Sequence, residues 1–237
     1  MRGVYLGIIE FRGYREWTES IGSDREWRLQ ITQSKIYLTL QEAAARVNGF
    51  ILPLRYDYML LVASGLSREA VEKVYHAAMG VSPVPVSMST ACGVNPRDAV
   101  ERAWEHLGAR NGLYLGEKCQ EDYVVAAHFD INNITRRTRR QGLLDTYTTV
   151  LSLIARLQEE AHRRGAVSQY LGGDNVLALL PLDDYEEIVN DMISFEDLKA
   201  GIGIASSSRR ALTLAAEALH RIRTGESREK IVVLEEK

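Results

Sequence analysis

The chain opens on a short run of apolar, largely β-branched or aromatic residues, Val4-Tyr5-Leu6-Gly7-Ile8-Ile9, that ends in Glu10. The run predicts a buried strand. After a polar stretch, Leu29, Ile36, Leu40 and Ala44 recur at helical spacing. They predict a helix over about 25–47, with Gly49 as its stop. Residues 50–55 and 59–63 flank Tyr56-Asp57-Tyr58 as the two arms of a hairpin. A second helix is expected over 67–79, with Ser67 as its N-cap. A strand over 84–88 follows, and Pro85 places it at a sheet edge or a strand end. Asn95-Pro96 then opens a third helix, asparagine capping and proline taking the first turn.

The second half repeats this order. It predicts a strand over 123–130, a helix over 142–164 closed by Gly165, and two strands, 167–171 and 176–180, around Gly172-Gly173-Asp174-Asn175. A helix over 184–193, a strand over 198–204, a long helix over 206–223 and a last strand over 230–234 complete it. Glu10 and Asp130 lie 120 residues apart, Asp57 and Asp174 117, and Ala99 and Ala211 112, like Ala103 and Ala215. That drift suits a duplication with small loop insertions. Each half reads as βαββαβ. The predicted class is α+β: two tandem ferredoxin-like domains with antiparallel sheets and helices on one face. Gly108, Gly112 and Gly116 punctuate the boundary, which divides the chain into 1–115 and 120–237.

Composition narrows the function. The 237 residues have room for two small domains, and 46% hydrophobic with 26% charged residues is ordinary for a globular chain. Lys+Arg number 29 against 32 Asp+Glu, a net charge of −3, which argues against a nucleic-acid partner or an anionic membrane surface. No apolar run approaches the roughly 18 residues of a membrane span. The segment from Met1 carries no signal-peptide core, so a cytoplasmic location is expected. Cys92 and Cys119 form no C-x-x-C pair and the five histidines are scattered, so reduced thiols and no zinc site are expected.

The informative chemistry is acidic. Asp130 ends a strand that otherwise reads as core, and Asp174 tips a hairpin whose glycines remove side-chain bulk. In a split βαβ sheet the first strand and the hairpin are neighbours, so the two carboxylates converge. Their mutual repulsion is relieved by a divalent cation. Oxygen-only donors point to Mg²⁺ or Mn²⁺, and Mg²⁺ prefers one or two carboxylates plus substrate phosphates, hence a nucleoside triphosphate. Gly172 and Gly173 would let backbone approach those phosphates, although G-G-D-N also suits a plain hairpin turn. His128, two residues from Asp130 on the same strand face, is a candidate acid or base, or a hydrogen-bonded structural histidine. The amides of Asn132, Asn133 and Asn175 both donate and accept and so suit the edge of a base, although asparagine in a turn needs no ligand. Arg136-Arg137 and Arg139-Arg140 can face a triphosphate, although such runs are more commonly solvated.

The segments His128-Phe129-Asp130-Ile131-Asn132-Asn133-Ile134-Thr135, Asp145-Thr146-Tyr147, Gly172-Gly173-Asp174-Asn175 and Lys199-Ala200-Gly201-Ile202-Gly203-Ile204 resemble GTP cyclohydrolase III. The resemblance implies tandem palm-like domains related to polymerase palms, class III nucleotidyl cyclases and diguanylate cyclases. It implies a hydrolase acting on a cyclic amidine: GTP is opened at its imidazole ring to 2-amino-5-formylamino-6-ribosylamino-pyrimidinone 5′-phosphate. It further implies two Mg²⁺ ions, a monovalent cation such as K⁺, and a homo-oligomer. Carried onto this chain, it makes Asp130 and Asp174 the metal ligands and, with His128, the catalytic residues. It places Ile131, Asn132, Asn133, Thr135, Asp145, Gly172, Gly173 and Asn175 on the substrate. The first half follows the family spacing from Gly13-Tyr14 to Tyr37, and Arg55 and Asp57 fit its hairpin. It departs at Glu10 and Phe11, where the family has Asp and Asn, and at Tyr58, where the hairpin has Asn. Glu10 and Asp57 are therefore a second, weaker metal pair. A nucleotidyl or dinucleotide cyclase on the same palm, or a GTP sensor without catalysis, are the alternative functions.

Overall fold

A computed structural model describes residues 2–109 and 111–237. Met1, at the start of the segment read for a leader, and Arg110, in the expected boundary, lie outside the described residues. The first half runs β1 (Arg2–Phe11), α1 (Tyr14–Ser20), α2 (Arg25–Arg46), β2 (Phe50–Pro53), β3 (Tyr58–Val62), α3 (Arg68–Val81), β4 (Val86–Gly93), α4 (Pro96–Ala109) and β5 (Leu113–Leu115). After the short β6 (Glu121–Asp122), the second half runs β7 (Val124–Ile131), α5 (Ile134–Gln141), α6 (Leu143–Arg163), β8 (Val167–Gly172), β9 (Asn175–Leu180), α7 (Tyr185–Ile193), β10 (Leu198–Ala205), α8 (Ser208–Thr224) and β11 (Ile231–Glu235). The two sheets have the same order, β2-β3-β1-β4-β5 and β8-β9-β7-β10-β11, with β6 added beside β1. Contacts divide the chain into an N-terminal unit (Met1–Val94, Asp98–Asp122 and Ser207–Arg209) and a C-terminal unit (Asn95–Arg97, Tyr123–Ser206 and Arg210–Lys237).

Strand alternation and helical stripes build each core. In the N-terminal unit Tyr5, Ile9 and Phe11 meet Ile36, Leu40 and Ala44 of α2 and Val71, Val74 and Ala78 of α3. In the C-terminal unit Val125, Ala127, Phe129 and Ile131 meet Val150, Leu153 and Leu157 of α6 and Ile188, Val189 and Met192 of α7.

Two expectations about the layers are corrected. The sheets are mixed, not purely antiparallel: β4–β5, β10–β11 and β1–β6 are parallel pairs. Parallel neighbours need a crossover, and α4 and α8 supply it for β4–β5 and β10–β11. Nor do the helices share one face. Ala200, Ile202 and Ile204 of β10 point into the core with α6 and α7, so Gly201 and Gly203 point to the other side. There α8 lies so close that a Cβ on Gly203 would overlap the Ala211 carbonyl, and one on Gly201 the Ala215 carbonyl. Gly93 bears the same relation to Ala99 of α4. The alanine stripe Ala211, Ala215 and Ala218 is the helix side of this approach, and all three are buried. Helices α1 and α5 occupy stretches that read as polar connections, and β5 lies inside the glycine-punctuated boundary.

The cysteines are also corrected. Cys92 at the end of β4 is disulfide-bonded to Cys119 beyond β5. A spacing of 27 residues carries no disulfide signature by itself, and only the return of the chain alongside β4 brings the sulfurs together. Gly3 leaves the room: a Cβ there would lie 3.0 Å from the Cys92 Sγ and 3.2 Å from the Cys119 Sγ. Closing a loop of this length stabilises by about 3.5 kcal/mol in the chain-entropy model. The Cys92→Ala/Cys119→Ala double variant is expected to unfold at correspondingly lower denaturant, and dithiothreitol should shift wild type alone. An unmoved wild-type midpoint would show that no bond had formed. No helix among the described residues is long and apolar enough to cross a membrane.

Candidate active site

Asp130 is the next-to-last residue of β7, directly across from Lys199 of β10 on one side and Asn175 of β9 on the other. Only 4% of it is exposed. A buried carboxylate needs countercharge, and two cations provide it. The Lys199 Nζ lies 2.7 Å from Oδ2, and the Arg223 guanidinium, from the last turn of α8, bonds Oδ1. Burial pushes the carboxyl pKa up. The hydrogen bonds and charges of Arg223 and Lys199 outweigh it and hold the group below the usual carboxylate range.

Asp174 is placed by the β8–β9 turn. Its backbone carbonyl accepts the Ile131 amide at 3.1 Å, which pins the hairpin to the end of β7. Its Oδ1 accepts from Asn175 Nδ2 at 2.8 Å. An ionised carboxylate only accepts, so the Asn175 amide must turn its oxygen the other way. That oxygen faces His128 Nε2 at 2.9 Å and Arg223 at 3.4 Å, so Nε2 carries the proton and donates. Burial lowers the His128 pKa, and the nearby Arg223 charge adds to this against the Asn175 bond and the two aspartates. The Nε2 of His128 helps set the orientation of Asn175. His128, the expected acid–base group, is not among the residues lining the cleft between Asp130 and Asp174.

The cleft has a volume of about 480 Å³. Asp130 and Asp174 are its acidic walls, and Arg136, Arg139, Lys199 and Arg223 its basic ones. Four cations against two carboxylates leave it with a net charge of +2. Ile131, Asn133, Ile134 and Thr135 bring the start of α5 to the same space. The chain turns into α5 at Asn133 with φ 60°, a left-handed conformation that asparagine tolerates, and no side chain caps the helix. The first amides of α5 thus remain available to an anion. Helical spacing sorts the basic run. Arg136 and Arg139 share the cleft face, while Arg137 turns to Glu196 at 3.4 Å and to Gln141.

A second cleft of about 470 Å³ continues from the first through Ile134, Thr135 and Arg139. Leu143, Tyr147 and Val150 of α6 and Tyr170 and Gly173 of the hairpin give it apolar walls. Gly172 (φ 107°) and Gly173 (φ 61°) adopt backbone conformations that favour glycine, and nothing lies within 4 Å of a Cβ built on Gly172.

Four expected substrate residues, Asn132, Asp145, Gly172 and Asn175, line neither cleft. Asn132 is bound to Asp197, by its backbone amide at 2.9 Å and its side chain at 3.1 Å, and so fastens the β7–α5 turn to the approach to β10. Asp145 is exposed on the first turn of α6 and lines neither space. In the N-terminal unit each acidic candidate has its own arginine. Glu10 accepts from Arg12 at 2.9 Å and from the Tyr58 hydroxyl at 3.0 Å, and Asp57 is paired with Arg55. The 520 Å³ cavity beside them is lined by Ile8, Leu54, Tyr58 and Trp104 among others, and by neither carboxylate.

Sequence reasoning missed Arg223 altogether and gave Lys199 no role beyond its motif. Lys199 had a usable signal, a cation at the start of a core strand. Arg223 had none, because 93 residues separate it from Asp130. For a metal, the donor set is two carboxylates. No cluster of three or more His, Cys, Asp or Glu side chains occurs among the described residues. That is too few for an all-protein cage and fits Mg²⁺, which takes its remaining ligands from phosphate and water.

The sequence profile of the GTP cyclohydrolase III family matches residues 6–236. A GTP cyclohydrolase III of Aeropyrum pernix is 48% identical over 94% of this chain and 93% of its own length. One of Sulfurisphaera tokodaii is 33% identical over 100% of both. Among solved structures, a GGDEF domain of Pseudomonas aeruginosa is similar at a TM-score of 0.43 and 20% identity, covering 49% of this chain and 84% of that one.

Proposed function

The chain belongs to the GTP cyclohydrolase III family, and from that premise we propose that its C-terminal unit binds Mg²⁺–GTP and opens the guanine imidazole ring. The triphosphate lies in the basic cleft against the α5 N-terminus, and the base lies in the adjoining apolar cleft beside Tyr147 and Tyr170. One observation carries this reading: four cationic side chains from α5, β10 and α8 converge with two aspartates on one cleft that runs into an apolar one. A triphosphate needs the first kind of surface and a purine the second.

Asp130 and Asp174 would hold two Mg²⁺ ions. When bound there, such ions neutralise phosphate oxygens and lower the pKa of water. Arg136, Arg139 and the α5 amides orient the phosphates, and Lys199 stays on Asp130 and balances its charge. His128 holds Asn175, and Asn175 holds Asp174, so the second aspartate meets its cation already aimed. Water adds at guanine C8 and the C8–N9 bond breaks. The formyl group stays on the former N7, the former N9 takes up a proton, and two further waters cleave the outer phosphates as inorganic phosphate.

Asp174→Asn tests the assignment. It removes a charge from a half-exposed turn, so the unfolding transition should stay in place. Mg²⁺-dependent loss of guanine absorbance should fall on the order of 100-fold or more. Wild-type turnover in this variant would put the chemistry elsewhere. A cyclic nucleotide with pyrophosphate as products would identify a cyclase instead.

A further inference from the structure

We propose that Arg223 stands in for the divalent cation in the nucleotide-free enzyme and transfers to the triphosphate when Mg²⁺ and GTP arrive. The proposal rests on the reading above, which counts Arg223 among the cations of the cleft but gives it no part in metal or phosphate exchange. Arg223 bonds Asp130 Oδ1 and reaches Asn175 Oδ1 at 3.4 Å, while Asn175 holds Asp174 Oδ1 at 2.8 Å. The guanidinium therefore neutralises Asp130, the buried acidic corner of the cleft, and touches the side chain that holds the other corner.

The two partners of Asp130 differ in freedom. Lys199 is fixed within β10, directly across the strand pair, with its side chain 18% exposed. Arg223 is the next-to-last residue of α8, is 43% exposed, and is followed closely by Gly225 at φ 80°. It can swing on a long stem without disturbing the sheet. Its alternative acceptor lies in the same space, because Arg223 lines the cleft together with Arg136 and Arg139. A carboxylate as buried as Asp130 does not go without countercharge, so arginine leaves as metal enters. A free divalent ion must displace Arg223 with no phosphate to receive it. An ion arriving with a triphosphate meets no such cost. The arrangement discourages metal without nucleotide and favours the metal–nucleotide complex.

The effects of removing Arg223 then have opposite signs. In R223Q, the affinity for Mn²⁺ alone, read from the electron paramagnetic resonance signal of the free ion, should rise about tenfold or more, because a positive charge a few ångströms from the seat is gone. The affinity for a non-hydrolysable GTP analogue with Mg²⁺, read by calorimetry, should fall about tenfold with the lost charge-assisted bond. A role confined to folding would weaken both. Arg221→Gln, which loses only a helix-surface pair with Glu217, should move neither. If R223Q does not fold, Arg223→Met keeps the apolar stem and should give the same two signs. Unchanged or weaker Mn²⁺ binding in a folded variant overturns the proposal while leaving the substrate assignment standing. A wild-type protein that binds no GTP analogue with Mg²⁺ overturns both.

Discussion

Asp130→Asn is expected to lower GTP turnover on the order of 1,000-fold, more than any other single change in the cleft. The substitution takes a charged ligand from the proposed metal seat. It also leaves Lys199 and Arg223 facing a neutral amide, so two cations lose the anion that held them together. Their misplacement disturbs the phosphate site as well as the metal. A second readout separates this electrostatic role from simple misfolding. Arg223 and Lys199, working against burial, hold the Asp130 carboxyl below its ordinary pKa in the folded chain. The unfolded chain therefore takes up that proton first as pH falls. The stabilisation is complete above the unfolded value of about 4 and is lost as pH drops through the folded value. Asp130→Asn removes this contribution. Its melting temperature should fall less steeply than wild type below about pH 4. Full turnover, or an acid limb parallel to wild type, would remove Asp130 from the centre of the site.

Gly203→Val should prevent the C-terminal unit from folding, with a loss above about 4 kcal/mol. Gly203 lies on β10 between β7 and β11, and a Cβ there would overlap the Ala211 carbonyl and the Ala215 amide. The strand cannot retreat, because it is hydrogen-bonded on both sides. Only α8 can move, and α8 carries Arg223. Gly203→Ala imposes the same overlap with a smaller side chain, and a folded fraction should show a lower denaturation midpoint and weaker nucleotide binding. Chemical denaturation followed by circular dichroism reads both variants. A wild-type midpoint for Gly203→Val would mean that α8 does not pack on that face.

Much of this architecture was legible in the order of residues. Hydrophobic period alone placed the long helices α2 and α6, the strands β1, β7 and β10, and both hairpins, because period reports the local geometry of one element. Asp130 stood out as a charge in an apolar strand, and Asp174 as an acid after two glycines. Both line the cleft. Three features were not legible. The glycines of β10 gave no sign of which face would take α8, and so of the parallel pairing with β11. The short α5 hid in a polar basic run, although it sorts Arg136 and Arg139 from Arg137. His128 was rightly placed on the face of Asp130, but its partner was not legible.

By itself the sequence determined which segments are strands or helices, that two halves share one plan, and which two acids sit at strand ends, all consequences of short-range periodicity and turn chemistry. The tertiary structure alone decided that α4 and α8 cover the second face of each sheet, that Cys92 meets Cys119, and that Arg223 reaches Asp130. The disulfide and the Arg223–Asp130 pair join side chains 27 and 93 residues apart. Each is chosen by burial and countercharge once the sheets have formed, and no window along the chain contains both partners.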